Sequence, residues 1–300
     1  MSVFSTVAPA RRRHAFREAL AAQKICRIPG AFSPLVARAI EQKGFEGVYI
    51  SGAVVAADLA LPDIGLTTLT EVAHRTHQIA RVTNLPVLVD ADTGFGEPMS
   101  AARTIVELEA AGAAGCHLED QVNPKRCGHL DGKAVVPADE MIRRIGAAVS
   151  ARQDENFVIC ARTDAAGIEG IDAAIERAKA YADAGADVIF TEALKDADDF
   201  KKFRDAVDTP LLANMTEFGK SELLSASQLE SIGYNAVIYP VTTLRIAMGQ
   251  VENALDDIAE TGTQVEWLDR MQHRARLYEL LRYEDFNVFD QKLFTYSKES

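Results

Sequence analysis

The chain has 300 residues, of which 48% are hydrophobic and 25% charged, and its net charge is −12. This composition is that of a folded globular protein, and the acidic balance argues against nucleic acid or an anionic membrane as a partner, because both attract concentrated positive charge. No apolar run approaches the roughly 20 residues of a membrane span and no apolar signal segment follows the N-terminus, so we expect a cytoplasmic protein.

A helix is predicted first, over residues 8–23. The basic run Arg11-Arg12-Arg13 leads into this helix near Glu18, and we interpret it as a solvated first turn. Beyond it, short runs rich in Val and Ile alternate with stretches whose apolar residues are spaced by three and four. The predicted strands cover residues 24–28, 47–50, 86–89, 115–118, 157–161, 187–190, 210–213 and 235–239. The predicted helices cover residues 34–43, 69–82, 99–111, 137–151, 171–184, 197–206, 225–232 and 242–260.

Eight strands alternating with eight helices predict a (β/α)8 barrel of the TIM type, which needs about 250 residues. Glycines at four similar turns end a helix shortly before a strand, namely Gly44, Gly112, Gly185 and Gly233. We interpret residues 1–300 as a single domain, with the N-terminal helix in 1–23, the barrel in 24–260 and a C-terminal helical extension in 261–300. The extension packs on its own barrel or is exchanged with a neighbouring subunit, and the pattern leaves both open.

Polar residues follow nearly every predicted strand. They are Ser51 and Gly52, Asp90 and Asp92, Glu119 and Asp120, Arg162 and Asp164, Glu192, and Asn214 with Thr216. A doubly wound sheet gathers ligands at one switch point, whereas a barrel gathers them from many strands. The distribution of these residues therefore favours the barrel and predicts one site at its carboxyl end.

The site combines acids and cations. Residues two apart on a strand point the same way, so Asp90 and Asp92 can face one cavity, and oxygen ligands of this kind suit Mg²⁺ or Mn²⁺. Helix capping is the alternative role for both. Glu119 favours the metal, since crowded acids without a cation would repel. Arg162 follows a strand directly and suits a carboxylate of an anionic substrate.

The loop over residues 117–129 places Cys127 after Lys125 and Arg126 and before His129. Nearby positive charge lowers the pKa of a thiol and favours its reactivity. A small residue in a polar loop is the plain alternative for Cys127.

The motif over residues 125–129 resembles the Lys-Lys/Arg-Cys-Gly-His motif of the isocitrate lyase and phosphoenolpyruvate mutase superfamily, in the form typical of 2-methylisocitrate lyases. The resemblance runs from about residue 20 to residue 280. Its other segments are residues 89–96, 117–121, 161–165 and 214–219, in the same order as in those lyases.

The resemblance implies a site residue by residue. Asp90 and Asp92 would hold Mg²⁺, with Mn²⁺ as a substitute, and Asp63 and Glu119 would join through water. Cys127 would supply a proton, Lys125 and His129 a positive field, and Tyr49 would lie near the reacting oxygens. The implied substrate contacts are Ser51, Gly52, Ala53, Gly128, Arg162, Glu192, Asn214, Met215, Thr216, Arg245 and Arg274. On their predicted helices alone, Arg245 and Arg274 would be solvated, and Asp63 would form a turn.

The resemblance also implies a reaction and an assembly. The reaction is Mg²⁺-dependent cleavage of the tricarboxylate (2R,3S)-2-methylisocitrate to pyruvate and succinate in the methylcitrate cycle of propionate catabolism. The assembly is a homotetramer that exchanges its last barrel helix. Ala53 and Val54 replace the usual glycines, and Thr191 the usual proline, which leaves substrate selectivity open. Isocitrate cleavage, a phosphonopyruvate mutase or oxaloacetate hydrolase reaction, and a metal-binding barrel without chemistry are the alternatives.

Overall fold

A computed structural model of the protein describes residues 4, 6–126, 128 and 132–295. The strands are β1 (Cys26–Pro29), β2 (Val48–Ile50), β3 (Val87–Asp90), β4 (Gly115–Glu119), β5 (Val158–Thr163), β6 (Val188–Thr191), β7 (Leu211–Asn214) and β8 (Ala236–Tyr239). The helices are α1 (Pro9–Ala21), α2 (Pro34–Gln42), α3 (Gly52–Asp58), α4 (Leu69–Ala80), α5 (Pro98–Ala110), α6 (Ala138–Ala151), α7 (Ile171–Asp183), α8 (Ala197–Ala206), α9 (Ala226–Ile232), α10 (Thr242–Thr261), α11 (Arg274–Leu281) and α12 (Tyr283–Phe294). Two 3-10 helices span Ala165–Gly167 and Val265–Arg270.

The eight strands are parallel and form a ring in the order β1-β8-β7-β6-β5-β4-β3-β2. A parallel bridge between Gly30 and Tyr49 joins the end of β1 to β2, where the Ala31 amide donates to the Tyr49 carbonyl at 2.9 Å. The predicted (β/α)8 barrel is therefore confirmed, and the carboxyl ends of all the strands meet at one end of it.

Side-chain alternation along the strands builds two apolar layers. One layer fills the barrel interior with residues such as Ile28, Leu88 and Phe190, and Phe16 of α1 joins it. The other lies between the sheet and the surrounding helices and includes Val89, Ile105 and Ile159 among its residues. The strands read as continuous apolar runs because both of their faces are buried.

Local sequence sets the helix ends as the pattern predicts. Capping boxes start α4 at Thr68 and α9 at Ser225, and each satisfies backbone amides that the first helical turn leaves free. The predicted turn glycines adopt left-handed backbone conformations, with φ of 76° at Gly44, 94° at Gly112 and 104° at both Gly185 and Gly233. Two helices were not predicted as such: α3 begins directly after β2, and α12 occupies the aromatic-rich segment.

The basic run in α1 does not form the solvated turn that was predicted. Arg11 is exposed, but Arg12 and Arg13 are only 4% and 7% exposed. Arg12 donates to the carbonyls of Ala80 and Thr83, and Arg13 donates to the carbonyls of Glu109 and Ala113. The expected solvated turn is wrong because carbonyl groups at helix ends and turns of the barrel accept these guanidinium donors.

The described chain divides into two compact units. The first runs from Val7 to Leu244 and contains the barrel, and the second consists of the described residues from Arg245 onward with Phe4 and Thr6. Within the second unit, Trp267 is buried and its indole donates to Asp257 at 2.6 Å, and the ring of Phe4 meets that of Phe286 edge to face. Among the described residues, no helix is both long enough and apolar enough to cross a membrane.

Candidate active site

A cavity opens at the carboxyl ends of the strands, and its walls come from strands and loops all around the barrel. It is lined by Tyr49, Ser51, Ala53, Asp63, Asp90, Lys125, Arg126, Gly128, Arg162, Phe190, Glu192, Asn214, Thr216, Pro240 and Val241. Of the polar groups expected at the strand ends, the cavity brings together Ser51, Asp90, Arg162, Glu192, Asn214 and Thr216. The roles given to these residues stay predictions.

Asp90 and Asp92 lie together, but alternation along a strand is not the reason. Asp90 ends β3, whereas Asp92 lies beyond the strand with a left-handed φ of 46°, and its amide donates to Asp90 Oδ1 at 3.1 Å. Gly52 brings α3 against both carboxylates, since a Cβ there would lie 3.0 Å from Asp90 Oδ2 and 3.2 Å from Asp92 Oδ1. The Gly52 amide donates to Asp90 Oδ2 at 2.9 Å.

Lys125 bridges the acids from the loop after β4. Its Nζ lies 2.5 Å from Asp63 Oδ1 and 2.8 Å from Asp92 Oδ1, and the side chain is only 5% exposed. Burial acts to lower the pKa of Lys125, but the charges of Asp92, Glu119, Asp90 and Asp63 outweigh it and raise the pKa well above its usual value. The ammonium therefore remains charged. Lys125 also borders a neighbouring cavity of about 590 Å³, and Asp92 lines that second cavity.

Asp63, Asp90 and Asp92 form an acidic wall of the site, and the carboxyls of Asp90 and Asp92 differ in their proton affinity. Burial acts to raise the pKa of Asp90, but the charges on His117, Lys125 and Arg162 and the Gly52 hydrogen bond bring it down to about 2. For Asp92, burial dominates and raises the pKa to about 6 despite Lys125. Asp90 is therefore the permanent anion of the pair.

Arg162 forms the opposite wall, at the end of β5. Its Nε and Nη2 lie 2.9 Å and 3.1 Å from the two carboxylate oxygens of Asp164, and its Nη1 lies 3.3 Å from Glu119 Oε2. Glu192 Oε1 lies 3.5 Å from Nη2, and Phe190 packs beneath the guanidinium. Burial raises the pKa of Glu119 well above its usual range, although Arg162 opposes the rise.

The barrel interior contributes a histidine that sequence analysis did not select. The Tyr49 hydroxyl lies 2.7 Å from His117 Nε2, which lies 3.5 Å from Asp90 Oδ1. Burial lowers the pKa of His117 to about 4, so its imidazole is neutral near pH 7. Alternation along β4 was the available signal, because His117 is two residues before Glu119 and points to the same side.

The loop after β4 is described in part. Cys127 and His129 lie outside the described residues, so their predicted roles stay predictions. Arg126 is held by Gln121, whose side-chain oxygen accepts from the Arg126 amide at 2.8 Å and whose nitrogen donates to the Arg126 carbonyl at 2.9 Å. Gly128 packs directly on the Arg162 wall, since a Cβ there would lie 2.2 Å from Arg162 Nη2.

Other predicted substrate contacts divide into three groups. Ser51, Ala53, Glu192, Asn214 and Thr216 line the cavity. Met215 does not, and this corrects the prediction: alternation after β7 turns Met215 into the layer beneath the helices, where its sulfur accepts from the Leu224 amide. Arg245 and Arg274 belong to the second compact unit, and their roles stay predictions.

The acidic wall has the chemistry of a cation site without a preassembled ligand set. Among residues 4, 6–126, 128 and 132–295, no three His, Cys, Asp or Glu side chains are grouped closely enough to hold a metal ion. The buried Glu119 Oε1 has no hydrogen-bond partner among the same residues, and a cation, Lys125, already lies between two of the acids. One or two carboxylates completed by water would suit Mg²⁺, which keeps several waters in proteins.

Comparison with known proteins identifies the class to which this barrel and its acidic site belong. Residues 16–259 match the family described as phosphoenolpyruvate phosphomutase. A solved structure of 2,3-dimethylmalate lyase, described as a member of the phosphoenolpyruvate mutase and isocitrate lyase superfamily, superposes with a TM-score of 0.88 at 32% identity, covering 99% of this chain and 100% of the other. The chain is a member of this superfamily.

Curated relatives narrow the assignment. A probable 2-methylisocitrate lyase 2 from Corynebacterium glutamicum is 78% identical over 99% of this chain and 96% of its own length. The 2-methylisocitrate lyase of Aeropyrum pernix is 48% identical over 92% of this chain and 89% of its own length. The chain belongs to the 2-methylisocitrate lyase family, and it is an enzyme of the lyase class. The predicted resemblance is confirmed.

A further solved structure bears on the cofactor. Phosphonopyruvate hydrolase in complex with oxalate and Mg²⁺ superposes with a TM-score of 0.86 at 28% identity, covering 95% of this chain and 99% of the other. Mg²⁺ and oxalate are bound in that structure of the hydrolase.

Proposed function

We propose that this enzyme cleaves (2R,3S)-2-methylisocitrate between C2 and C3 to give pyruvate and succinate, as the names of its relatives suggest, in the methylcitrate cycle of propionate catabolism. One observation carries the proposal: Asp63 and Asp90 of the acidic wall line one cavity with Arg162, which forms the cationic wall, and Lys125 links Asp63 to Asp92. A polyanionic substrate that loses a hydroxyl proton needs both walls, one to hold a cation and one to hold a carboxylate.

Mg²⁺ is the proposed cofactor, and Mn²⁺ its substitute. Asp90 and Asp92 would hold the ion, and Asp63 and Glu119 would contact its waters, since all four offer the hard oxygen atoms that Mg²⁺ prefers. When bound, the ion supplies positive charge beside the hydroxyl and adjacent carboxylate of the substrate, which favours loss of the hydroxyl proton. Lys125 supports this assignment because a cation is stable between Asp63 and Asp92.

The cationic wall would hold the succinate half of the substrate. Arg162 is oriented by Asp164 and rests on Phe190, so its guanidinium is fixed before a substrate carboxylate arrives. Asn214 and Thr216 line the same region and can donate hydrogen bonds to carboxylate oxygens. Fixed donors of this kind stabilise developing negative charge without reorganising during the reaction.

Proton transfer needs a donor and an acceptor. From the family resemblance, the Cys127 thiol would protonate the carbon that becomes succinate, in the positive field of Lys125, Arg126 and His129. Tyr49 is the proposed acceptor for the hydroxyl proton. The neutral imidazole of His117, 2.7 Å away, can accept a hydrogen bond from the phenol, which would leave a lone pair of the Tyr49 oxygen to accept from the substrate hydroxyl.

The assembly that we propose is a homotetramer with an exchanged helix. Helix α10 exposes Ile246, Met248, Val251, Leu255 and Ile258. The barrel unit separately carries an apolar groove of about 570 Å³, lined in part by Pro29, Val36, Ile40 and Phe45. Exposed apolar surface of this kind marks interaction sites, and a second copy of the chain would cover both. Light scattering of the purified protein tests this, and a monomer at micromolar concentration would refute it.

The function is tested by incubating the purified protein with Mg²⁺ and 2-methylisocitrate and measuring pyruvate. We expect pyruvate and succinate in equal amounts, and a specificity constant for 2-methylisocitrate above that for isocitrate. A higher constant for isocitrate would reassign the substrate, and turnover of phosphonopyruvate or oxaloacetate in its place would reassign the reaction.

The proton donor is tested with Cys127→Ser. A serine hydroxyl is a far weaker acid than a thiol, so we expect kcat to fall by about a hundredfold or more while KM changes little. Cys26→Ser, a buried cysteine of β1, is the matched control and should keep its kcat. Equal activity of Cys127→Ser and the unmodified enzyme would remove Cys127 as the acid.

A further inference from the structure

Lys133 is a buried cation that neither the sequence analysis nor the proposed mechanism uses. Its side chain is only 4% exposed, and its Nζ lies 2.8 Å from Asp164 Oδ1. The same Nζ donates to the Gly128 carbonyl. Lysine is almost never buried to this extent unless it is paired, because removing an ammonium from water is costly. The burial of Lys133 beside the site therefore calls for a functional explanation.

The partner of Lys133 is also the partner of Arg162. The Asp164 carboxylate accepts from Arg162 Nε at 2.9 Å and from Nη2 at 3.1 Å, so one carboxylate bridges two cations. Asp164 is itself fixed from behind, because its amide donates to Asp120 Oδ1 at 2.9 Å. Asp120 is held by the hydroxyls of Thr163 and Tyr181 at 2.8 Å and 2.9 Å. Asp164 is thus an immobile anchor.

The second contact of Lys133, Gly128, also lies against the guanidinium of Arg162. Gly128 is so close to Arg162 and Glu192 that any Cβ would clash with both. Lys133 holds the Gly128 carbonyl and the Asp164 carboxylate at once, and both of these residues lie against Arg162 Nη2.

The charges around Arg162 indicate how Lys133 affects it. Three acids, Glu119, Asp164 and Glu192, lie within 3.5 Å of Arg162. Lys133 offsets part of the Asp164 charge, which weakens the pull of Asp164 on the guanidinium. Without Lys133, Asp164 would hold Arg162 more strongly, and Gly128 would lose its donor.

We propose that Lys133 is a positioning residue that orients Arg162 toward the carboxylate of the substrate through their shared partner Asp164, and that holds Gly128 against the guanidinium. This inference rests on the proposed function of Arg162 as the carboxylate-binding residue. Lys133 does not touch the substrate, so it acts on affinity more than on the chemical step.

The test is a double-mutant cycle on full-length enzyme with Mg²⁺ present, using Lys133→Met, Asp164→Asn and the double variant. Succinate is the probe for binding by calorimetry, and 2-methylisocitrate is the substrate for kinetics. We expect Lys133→Met to weaken succinate binding and raise KM by about 10- to 100-fold, the range for partners that orient ligating groups, with a smaller change in kcat. In the Asp164→Asn background the same change should have an effect at least about threefold smaller, with the remainder coming from the lost Gly128 contact.

Two further variants separate positioning from a general structural role. Lys133→Arg keeps charge and donors, so it should restore most of the affinity and also serves if Lys133→Met does not fold. Lys201→Met, an exposed lysine of α8, is the control and should match the unmodified enzyme. Succinate binding by Lys133→Met within about twofold of the unmodified enzyme, or equal effects in both backgrounds, would overturn the inference. Succinate binding without cleavage of 2-methylisocitrate would count against the proposed function alone.

Discussion

The two ends of the barrel both bury arginine, and they use it in opposite ways. At the amino end, Arg12 and Arg13 donate to backbone carbonyls of Thr83, Glu109 and Ala113. At the carboxyl end, Arg162 meets side-chain carboxylates of Asp164, Glu119 and Glu192. Carbonyls belong to a fixed backbone, whereas a carboxylate partner can be exchanged for the carboxylate of a ligand.

The pKa values of Arg12 and Arg162 show the same contrast. Burial lowers the pKa of Arg12, and the neighbouring charge of Arg13 lowers it further. Burial also acts to lower the pKa of Arg162, but the charges of Asp164, Glu119 and Glu192 outweigh it and raise the pKa well above the usual value. At the amino end Arg12 is thus stabilised by neutral acceptors, while the carboxyl end concentrates unlike charges that a ligand can rearrange. This agrees with the general division of barrels into a stabilising end and an active end.

Removal of the metal should have the largest effect and should act on the carboxyl end alone. With EDTA in excess, we expect pyruvate formation to fall by at least about a thousandfold, since a bound cation contributes several kcal/mol of charge stabilisation. Added Mg²⁺ or Mn²⁺ should restore it, which a pyruvate assay measures directly. Turnover that is indifferent to chelation would show that the acidic wall works without a metal.

An arginine-to-lysine substitution at each end of the barrel tests this contrast, and Arg162 is the first. Arg162→Lys keeps the charge but loses the planar fork that binds a carboxylate through two hydrogen bonds. We expect kcat/KM to fall by about a hundredfold, at about 1.4 kcal/mol for each tenfold, with most of the change in KM. Steady-state kinetics measures it, and Arg143→Lys, on the exposed face of α6, is the control. Unchanged KM would show that Arg162 does not bind the substrate.

Arg13→Lys is the counterpart at the amino end. A lysine cannot reach the Glu109 and Ala113 carbonyls and Asp154 at once, so buried acceptors lose their donors. We expect a loss of about 3 kcal/mol in the free energy of unfolding, measured by urea titration, with kcat of the folded enzyme unchanged. The exposed Arg11→Lys controls for the substitution itself. A fall in kcat without a fall in stability would mean that the two ends are not independent.

This contrast also explains how far the sequence could predict the molecule. The eight strands and the meeting of Asp90, Arg162 and Glu192 followed from alternation and from the rule that barrel strands end in the site. These residues lie at or just after the ends of predicted strands, so their place in the site can be predicted without knowing how the side chains pack. The burial of Arg12 and Arg13 could not be read this way, because their acceptors lie near residues 80 and 110 and become neighbours only in the folded barrel.

The direction in which a side chain faces and the contacts that loops make were also beyond prediction from the sequence. Met215 and Thr216 are adjacent in sequence, and only the phase of β7 decides that Thr216 lines the cavity and Met215 packs beneath the helices. Lys125 was predicted as a source of charge, but its bridge between Asp63 and Asp92 depends on the fold of a loop. Lys133 gave no periodic signal at all, since it lies outside every helix and strand.

The smallest expected effect lies at the amino end and depends on pH. Glu46 accepts from Arg27 Nη2 at 2.7 Å and from Arg27 Nε at 2.9 Å. Burial acts to raise the pKa of Glu46, but these hydrogen bonds and that of the Arg27 amide lower it below its usual value of 4.5. Because the folded state lowers this pKa, the pair stabilises the fold above pH 4.5 and loses its contribution as the pH falls through the lowered pKa.

We therefore expect Glu46→Gln to lower the free energy of unfolding by about 1 kcal/mol at pH 7, the scale of a partly exposed ion pair. The difference from the unmodified protein should shrink as the pH falls through the titration range of Glu46. Urea titrations at several pH values measure it, with Glu18→Gln on the exposed face of α1 as the control. A difference that stays constant from pH 7 to the acid limit would assign the loss to packing rather than to charge. Neither variant should alter kcat at pH 7, since Glu46 pairs with Arg27 at the end of the barrel away from the substrate cavity.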